Sequence, residues 1–288
     1  MNKMYPMNKA FLASAVVMLS NNVFGTIIIQ NNFDGVADDI GPAFQLLSNG
    51  AGGATGTFDP STGVISTGTG TSGNNTGASG INNTSLATIP VGTTSFTVEY
   101  VIDSFANAAT IRSNGFFLGV ATDAGATVTT GDGLFNNTAA SIGLNLLDPP
   151  GGSPGVNEGR IAGDGASGGT TNLESITSPT FASVEDGFTF TLTVRDDNTY
   201  DAFTTGLSTD VSIINDNLTG GSPLFADFVS GGIGINSTTQ GNGIDGGVGP
   251  SGFTVGSVTL SAVPEPSTSI LVGLVSGLAL FGRRRRSF

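Results

Sequence analysis

The 288-residue chain contains 45 Gly, has charged side chains at only 11% of its positions and carries a formal charge of −13. It has no Cys, no His and no Trp, which excludes disulfides, thiolate chemistry, His-based triads, Cys- or His-ligated metals and the indole platform on which sugars commonly stack. Its nine basic residues are segregated: Lys3 and Lys9 open the chain, Arg283, Arg284, Arg285 and Arg286 close it, and only Arg112, Arg160 and Arg195 lie between, among all 22 Asp and Glu. A body of that charge repels phosphate backbones, so nucleic acid is not an expected partner. With Lys absent after position 9, Schiff-base chemistry is also excluded, and an enzyme built on this chain would have to work with carboxylates.

In chain order, residues 1–25 read as a signal peptide. A short basic region with Lys3 and Lys9 precedes the apolar stretch Ala10–Leu19 and the polar segment SNNVFG. Val23 and Gly25 are small enough for cleavage after Gly25, which makes signal peptidase and the Sec export machinery expected partners.

Residues 26–262 read as one β-sandwich domain, because alternating runs are separated by Gly, Asn, Asp and Pro clusters and no convincing amphipathic helix appears. SFTVEYVI (95–102) places Phe96, Val98, Tyr100 and Ile102 on one face. GFFLGVA (115–121) and SIGLNLL (141–147) are richer in apolar residues and are expected at the centre of a sheet. GFTFTLTVR (187–195) turns Phe188, Phe190, Leu192 and Val194 inward, Asp196-Asp197-Asn198 makes a turn, and TYDAFT (199–204) returns as a hairpin partner. GGIGIN (231–236) and FTVGSVTLSA (253–262) complete the set. In the last run the apolar parity switches between Val255 and Val258, so a bulge at Gly256-Ser257 is expected. The Gly/Ser/Thr/Asn-rich tracts 51–85 and 147–169 read as long surface loops or edge strands. The order of these strands resembles concanavalin A-like, or laminin-G-like, jelly rolls. That resemblance implies a fold shared by lectins, glycan-binding modules and β-glucanases, and it does not choose among them.

Several residues are candidates for chemistry. Asp196, Asp197, Asn198 and Asp201 in RDDNTYD gather hard oxygens that would suit a structural calcium ion, as do Asp34, Asp38 and Asp39 in FDGVADD; Asp123, Asp132 and the GDG at 163–165 are weaker candidates. The same residues are what a tight turn wants for its backbone. No other cofactor is expected. Tyr200, beside those acids, is the candidate for glycan contact. Glu99 and Asp103 share a strand face, but Val101 stands where the middle acid of a glucanase-type triplet would be and no third acid follows, so a carboxylate-dependent glycoside hydrolase is the least favoured alternative. Catalysis is not expected.

The tail (263–288) is the most specific feature. Val263-Pro264-Glu265-Pro266-Ser267 leads into an uncharged stretch, 267–282, suited to a short transmembrane helix, and then into Arg283–Arg286, which would stay on the cytoplasmic side. These three elements in this order resemble the PEP-CTERM sorting signal of Gram-negative bacteria, with Pro264, Glu265 and Pro266 as the motif. The resemblance implies recognition by an exosortase, transient anchoring in the inner membrane, release to the cell surface or matrix, and association with exopolysaccharide or biofilm.

Overall fold

The computed structural model describes residues 25–49, 56–66, 76–106, 111–122, 141–147, 158–164, 170–177, 186–218, 223–242 and 252–264. The first half of the chain supplies β1 (Thr26–Asn31), β2 (Phe44–Asn49), β3 (Thr57–Asp59), β4 (Val64–Ser66), β5 (Thr76–Asn83), β6 (Thr93–Ala106), β7 (Ile111–Ala121) and β8 (Ser141–Leu147). The second half supplies β9 (Glu158–Asp164), β10 (Thr170–Thr177), β11 (Phe188–Arg195), β12 (Thr199–Thr205), β13 (Ser212–Asn217), a short helix α1 (Phe225–Gly231), β14 (Gly234–Asn242) and β15 (Gly252–Pro264).

These strands form an all-β antiparallel sandwich of two sheets. The first runs β13-β12-β11-β6-β15-β4-β3, with β1 also paired to β15. The second runs β10-β9-β8-β7-β14-β5-β2. Alternation explains the first sheet directly: FTFTLTVR becomes β11 with Phe188, Phe190, Leu192 and Val194 buried and the hydroxyls between them half-buried. β6 pairs β11 through Val98↔Leu192 and Tyr100↔Phe190, and β12 returns through the expected hairpin. Central placement of β7 and β8 is also as expected.

β15 is the axis of the first sheet. One flank pairs β6 from Gly252↔Ala106 to Pro264↔Thr93, while the other meets β4 at Gly252–Thr254 and β1 at Val258–Ala262. Its register skips Gly256, between Val255↔Ile102 and Ser257↔Val101. This is the expected bulge, and it keeps Phe253, Val255, Val258 and Leu260 all within 2% of full burial. A Cβ at Gly256 would fall 2.3 Å from Asp103 Oδ1, so the bulge also requires a bare Cα with Asp103 in this position.

The two inner faces share one core. Phe105, Phe116 and Phe253 form an edge-and-stack cluster with centroids 5.0–5.9 Å apart, and Phe188 joins through Phe116 at 6.2 Å. Tyr100, fully buried on β6, crosses the sandwich: its hydroxyl donates to the Gly119 carbonyl at 2.5 Å and is 3.0 Å from that of Asn236, both on the second sheet. Burial pushes that phenol well above its ordinary range.

Three expectations need correction. The tracts 51–85 and 147–169 are more than loops and edges: β5 lies between β14 and β2, and β9 between β8 and β10. GGIGIN is a strand only from Gly234, because Gly231 ends helix α1. That helix is two turns long, too short to show a 3.6-residue period; Asp227 accepts the Leu224 N–H at 2.8 Å, and Gly232, at φ 92°, closes it by donating to the Phe228 carbonyl. Phe225 and Phe228 plug one end of the core against Phe96.

Candidate functional site

Three places qualify as candidate sites. They are the sorting junction, the β11–β12 turn and the outer face of the second sheet.

At the junction, the sheet runs further than residue 262. Val263 pairs Ser95 and Pro264 pairs Thr93, and the Thr94 hydroxyl donates to the Val263 carbonyl at 3.2 Å. Proline has no N–H to give a ladder, so the first residue of the motif is also a natural strand terminator. Thr26 pairs Ala262, and a Cβ at Gly25 would sit 3.0 Å from the Ala262 carbonyl oxygen. The expected signal-peptidase site and the sorting motif therefore lie at the same end of the sandwich. Glu265, Pro266, the apolar stretch, Arg283–Arg286 and residues 1–24 lie outside the described residues. Among the described residues no helix is long and apolar enough to cross a membrane.

The β11–β12 turn uses its acids locally. Asn198 adopts φ 62°, donates its N–H to the Arg195 carbonyl at 2.9 Å, and accepts the Phe225 N–H on its side-chain oxygen at 3.1 Å. Asp197 Oδ1 accepts both the N–H and the hydroxyl of Thr199, at 3.0 and 2.7 Å, and the Thr199 hydroxyl above all holds that carboxyl below its usual range. Asp201 is ion-paired and doubly hydrogen-bonded to Arg195, and its Oδ1 also accepts the Asn215 N–H at 2.8 Å; the Arg195 hydrogen bonds lower its pKa. Asp196 is exposed. The structure thus brings the four residues together around a turn, with Asp197 and Asp201 already engaged. Among the described residues no group of three or more carboxylates is close enough to hold a metal ion. In the other acidic loop, Asp39 accepts from Asn31 at 2.7 Å and Asp34 from the Val36 N–H at 2.9 Å. Tyr200 has a fully buried side chain whose hydroxyl donates to Asp216 Oδ2 at 2.8 Å, so its ring offers no surface for stacking. Glu99 and Asp103 are exposed on β6; Glu99 stands between Thr191 and Thr259 on the outer face of the first sheet.

The third place was not legible in the sequence. Ile81, Phe116, Leu118, Ile142, Leu144 and Ile235 point into the core, so by strand alternation Asn82, Phe117, Gly119, Gly143, Asn145 and Asn236 point the other way. Asn82, Asn236, Gly119 and Gly143 are successive partners across four strands. The Phe117 ring occupies the space over the two glycines, since a Cβ at either would lie 2.5 Å from its ring carbons. Asn145 pairs opposite Phe117. Asn82, Asn145 and Asn236 are at most 1% exposed, and the amide oxygens and nitrogens of Asn145 and Asn236 meet no protein hydrogen-bond partner. Each such group costs about 1–3 kcal/mol if it stays unmet, so these buried amides weaken the fold unless water or a ligand meets them.

Comparison with known proteins agrees with both levels of the architecture. Residues 262–286 match the PEP-CTERM protein-sorting motif. The described sandwich has the lectin-like jelly-roll fold. It is similar to arcelin-5, a lectin-like defense protein from Phaseolus vulgaris, at 9% identity and TM-score 0.51, covering 83% of this chain and 98% of that one. It is also similar to the CBM2 module of the evolved Dit of Lactobacillus casei BL23 phage J-1, at 14% identity and TM-score 0.50, covering 84% and 98%. No curated protein matches the chain in sequence. The chain is thus a lectin-like jelly roll carrying an exosortase-type sorting signal for export to the surface.

Proposed function

We propose that this is a non-enzymatic component of the cell surface or extracellular matrix, released there by an exosortase and associated with exopolysaccharide. The observation that carries the reading is the junction at Pro264, where a sorting motif follows a lectin-like sandwich with no linker between them. A Gram-negative envelope, signal peptidase, the Sec machinery and a transient stay in the inner membrane through 267–282 belong to the same reading. Intact mass of the protein from its host, beside a host lacking the exosortase, tests it. The expected mature species starts at Thr26 and ends between Pro264 and Ser267, while the deletion strain retains the whole tail. A species still carrying Arg283–Arg286 in both hosts would overturn the reading.

Glycan binding is the second reading, and the outer face of the second sheet favours it. Saccharide hydroxyls both donate and accept, which is what the amides of Asn145 and Asn236 lack. Phe117 is buried over the paired glycines, so the amides and not its ring would carry the contact. Asn145→Leu and Asn236→Leu, combined in one protein, separate this from a purely structural role. If the face holds saccharide, the mature double variant loses at least tenfold in affinity for the host exopolysaccharide, with or without calcium. Unchanged binding together with higher stability would mean that the amides serve no ligand. The glycoside-hydrolase alternative gains no support from Glu99 and Asp103, which stand exposed on β6 and belong to no group of three acids among the described residues.

A further inference from the structure

The chain leaves the sandwich at one end, and that end has an unusual surface. Pro264 is the last residue of β15 and pairs with Thr93. Directly before Thr93 is a tight turn, in which the N–H and hydroxyl of Thr93 both donate to the Pro90 carbonyl at 3.2 and 2.6 Å, with Gly92 at φ 78°. The turn holds Val91 out at 99% exposure. Ile27, two residues after Gly25 and opposite Ser261, is 43% exposed. Leu224 is also 43% exposed, at the start of α1, which Asn198 fastens to this same end. Three of the seven exposed large apolar side chains among the described residues thus surround the exit point, and Val91 is the most exposed of the seven.

Only Glu265 and Pro266 separate Pro264 from the uncharged stretch beginning at Ser267. Even fully extended, that gap spans about 10 Å. A tether so short, leaving a central strand, cannot let the domain tumble freely.

From these observations we infer that, while the tail is anchored, the sandwich stands upright on the bilayer with the Val91 turn, Ile27 and Leu224 against its surface. This rests on the reading of 267–282 as a membrane anchor. The partner surface is a zwitterionic one, because Asp196, Asp197 and Asp227 are exposed at the same end and repel anionic headgroups. Val263 and Pro264 are themselves held in the sheet, so the tether starts from a fixed strand end.

The absence of Trp from the chain makes the test clean. Val91→Trp and Val64→Trp are made separately in the tail-bearing protein recovered from a host lacking the exosortase. Each is reconstituted in phosphatidylcholine vesicles with bromine on the acyl chains near the headgroup. Val64 lies opposite Thr254, ten residues from Pro264 along β15, or about 33 Å away. Flotation with the vesicles reads anchoring by itself. The expected result is flotation of both variants, quenching of the indole emission by at least half in Val91→Trp, and emission unchanged from unbrominated vesicles in Val64→Trp. Flotation with equal quenching in both variants, or in neither, overturns the upright placement and leaves the anchor intact. Failure to float removes the anchor, and the inference with it.

Discussion

Gly63→Ala is expected to destabilise the mature protein by about 3–5 kcal/mol, read as a lowered urea midpoint with an unchanged m-value. Gly63 closes the turn between β3 and β4 at φ 65°, where a side chain is already strained. Steric conflict adds to this, because a Cβ would fall 2.0 Å from the Val255 carbonyl oxygen and 3.2 Å from Phe33 Cβ. The obstructing oxygen is backbone in a central strand, and the Val255 N–H donates to the Gly63 carbonyl at 3.0 Å, so neither partner can retreat without losing the other. Asp59 fixes the far side of the turn by accepting the Ser61 N–H and hydroxyl at 2.9 and 2.7 Å. Gly92→Ala is the internal control. Its φ of 78° is similar, yet nothing lies within 4 Å of the place its methyl would take, so conformational strain alone should cost it about 1 kcal/mol. Equal losses at the two sites would show that contact with β15 contributes nothing.

Phe228→Ala should cost a comparable 3–5 kcal/mol. The ring is fully buried and meets Phe96 edge-on at 5.2 Å, while Phe225 stacks on Phe96 at 5.9 Å. A helix of two turns has little stability of its own, so α1 is held by these rings and by the Asn198 cap, and the cavity cannot be refilled by a small shift. Hydrogen exchange distinguishes this from uniform weakening: the amides of α1 and the first residues of β6 should lose protection before those of β11. A variant whose exchange rises equally throughout would mean that α1 is integral to the core rather than a plug at its end.

The fold was legible where neighbouring residues alternate. FTFTLTVR and SFTVEYVI declare their faces within one strand, and the parity switch after Val255 locates the bulge, because a strand with a buried face must correct its register locally. TGASGINN and EGRIAGD declared nothing. They pair on both sides but are rich in Gly and polar or charged residues, so their place is set by ladder hydrogen bonds rather than by an alternating apolar face. The sorting signal was readable because its elements are contiguous. The Asn face was not, since Asn82, Asn145 and Asn236 come from three separate segments: Asn82 and Asn236 meet where β5 pairs β14, and Asn145 joins them only across β7. Tyr200 misled for a related reason: beside three acids it looks exposed, yet strand parity on β12 turns it inward to Asp216.

The placement of β15 also orders events in time. It is the strand that joins β6 to β1 and β4, and it ends in the first residue of the sorting motif. Residues 26–31 must wait for residues 258–262 before they can pair, the kind of long-range closure that makes a sheet slow to form. A chain emerging from its N-terminus therefore cannot complete its first sheet until residues 252–264 have followed. A chain that stops short of residue 252 lacks the strand that β6, β1 and β4 all share, whereas one cut just after Pro264 keeps it.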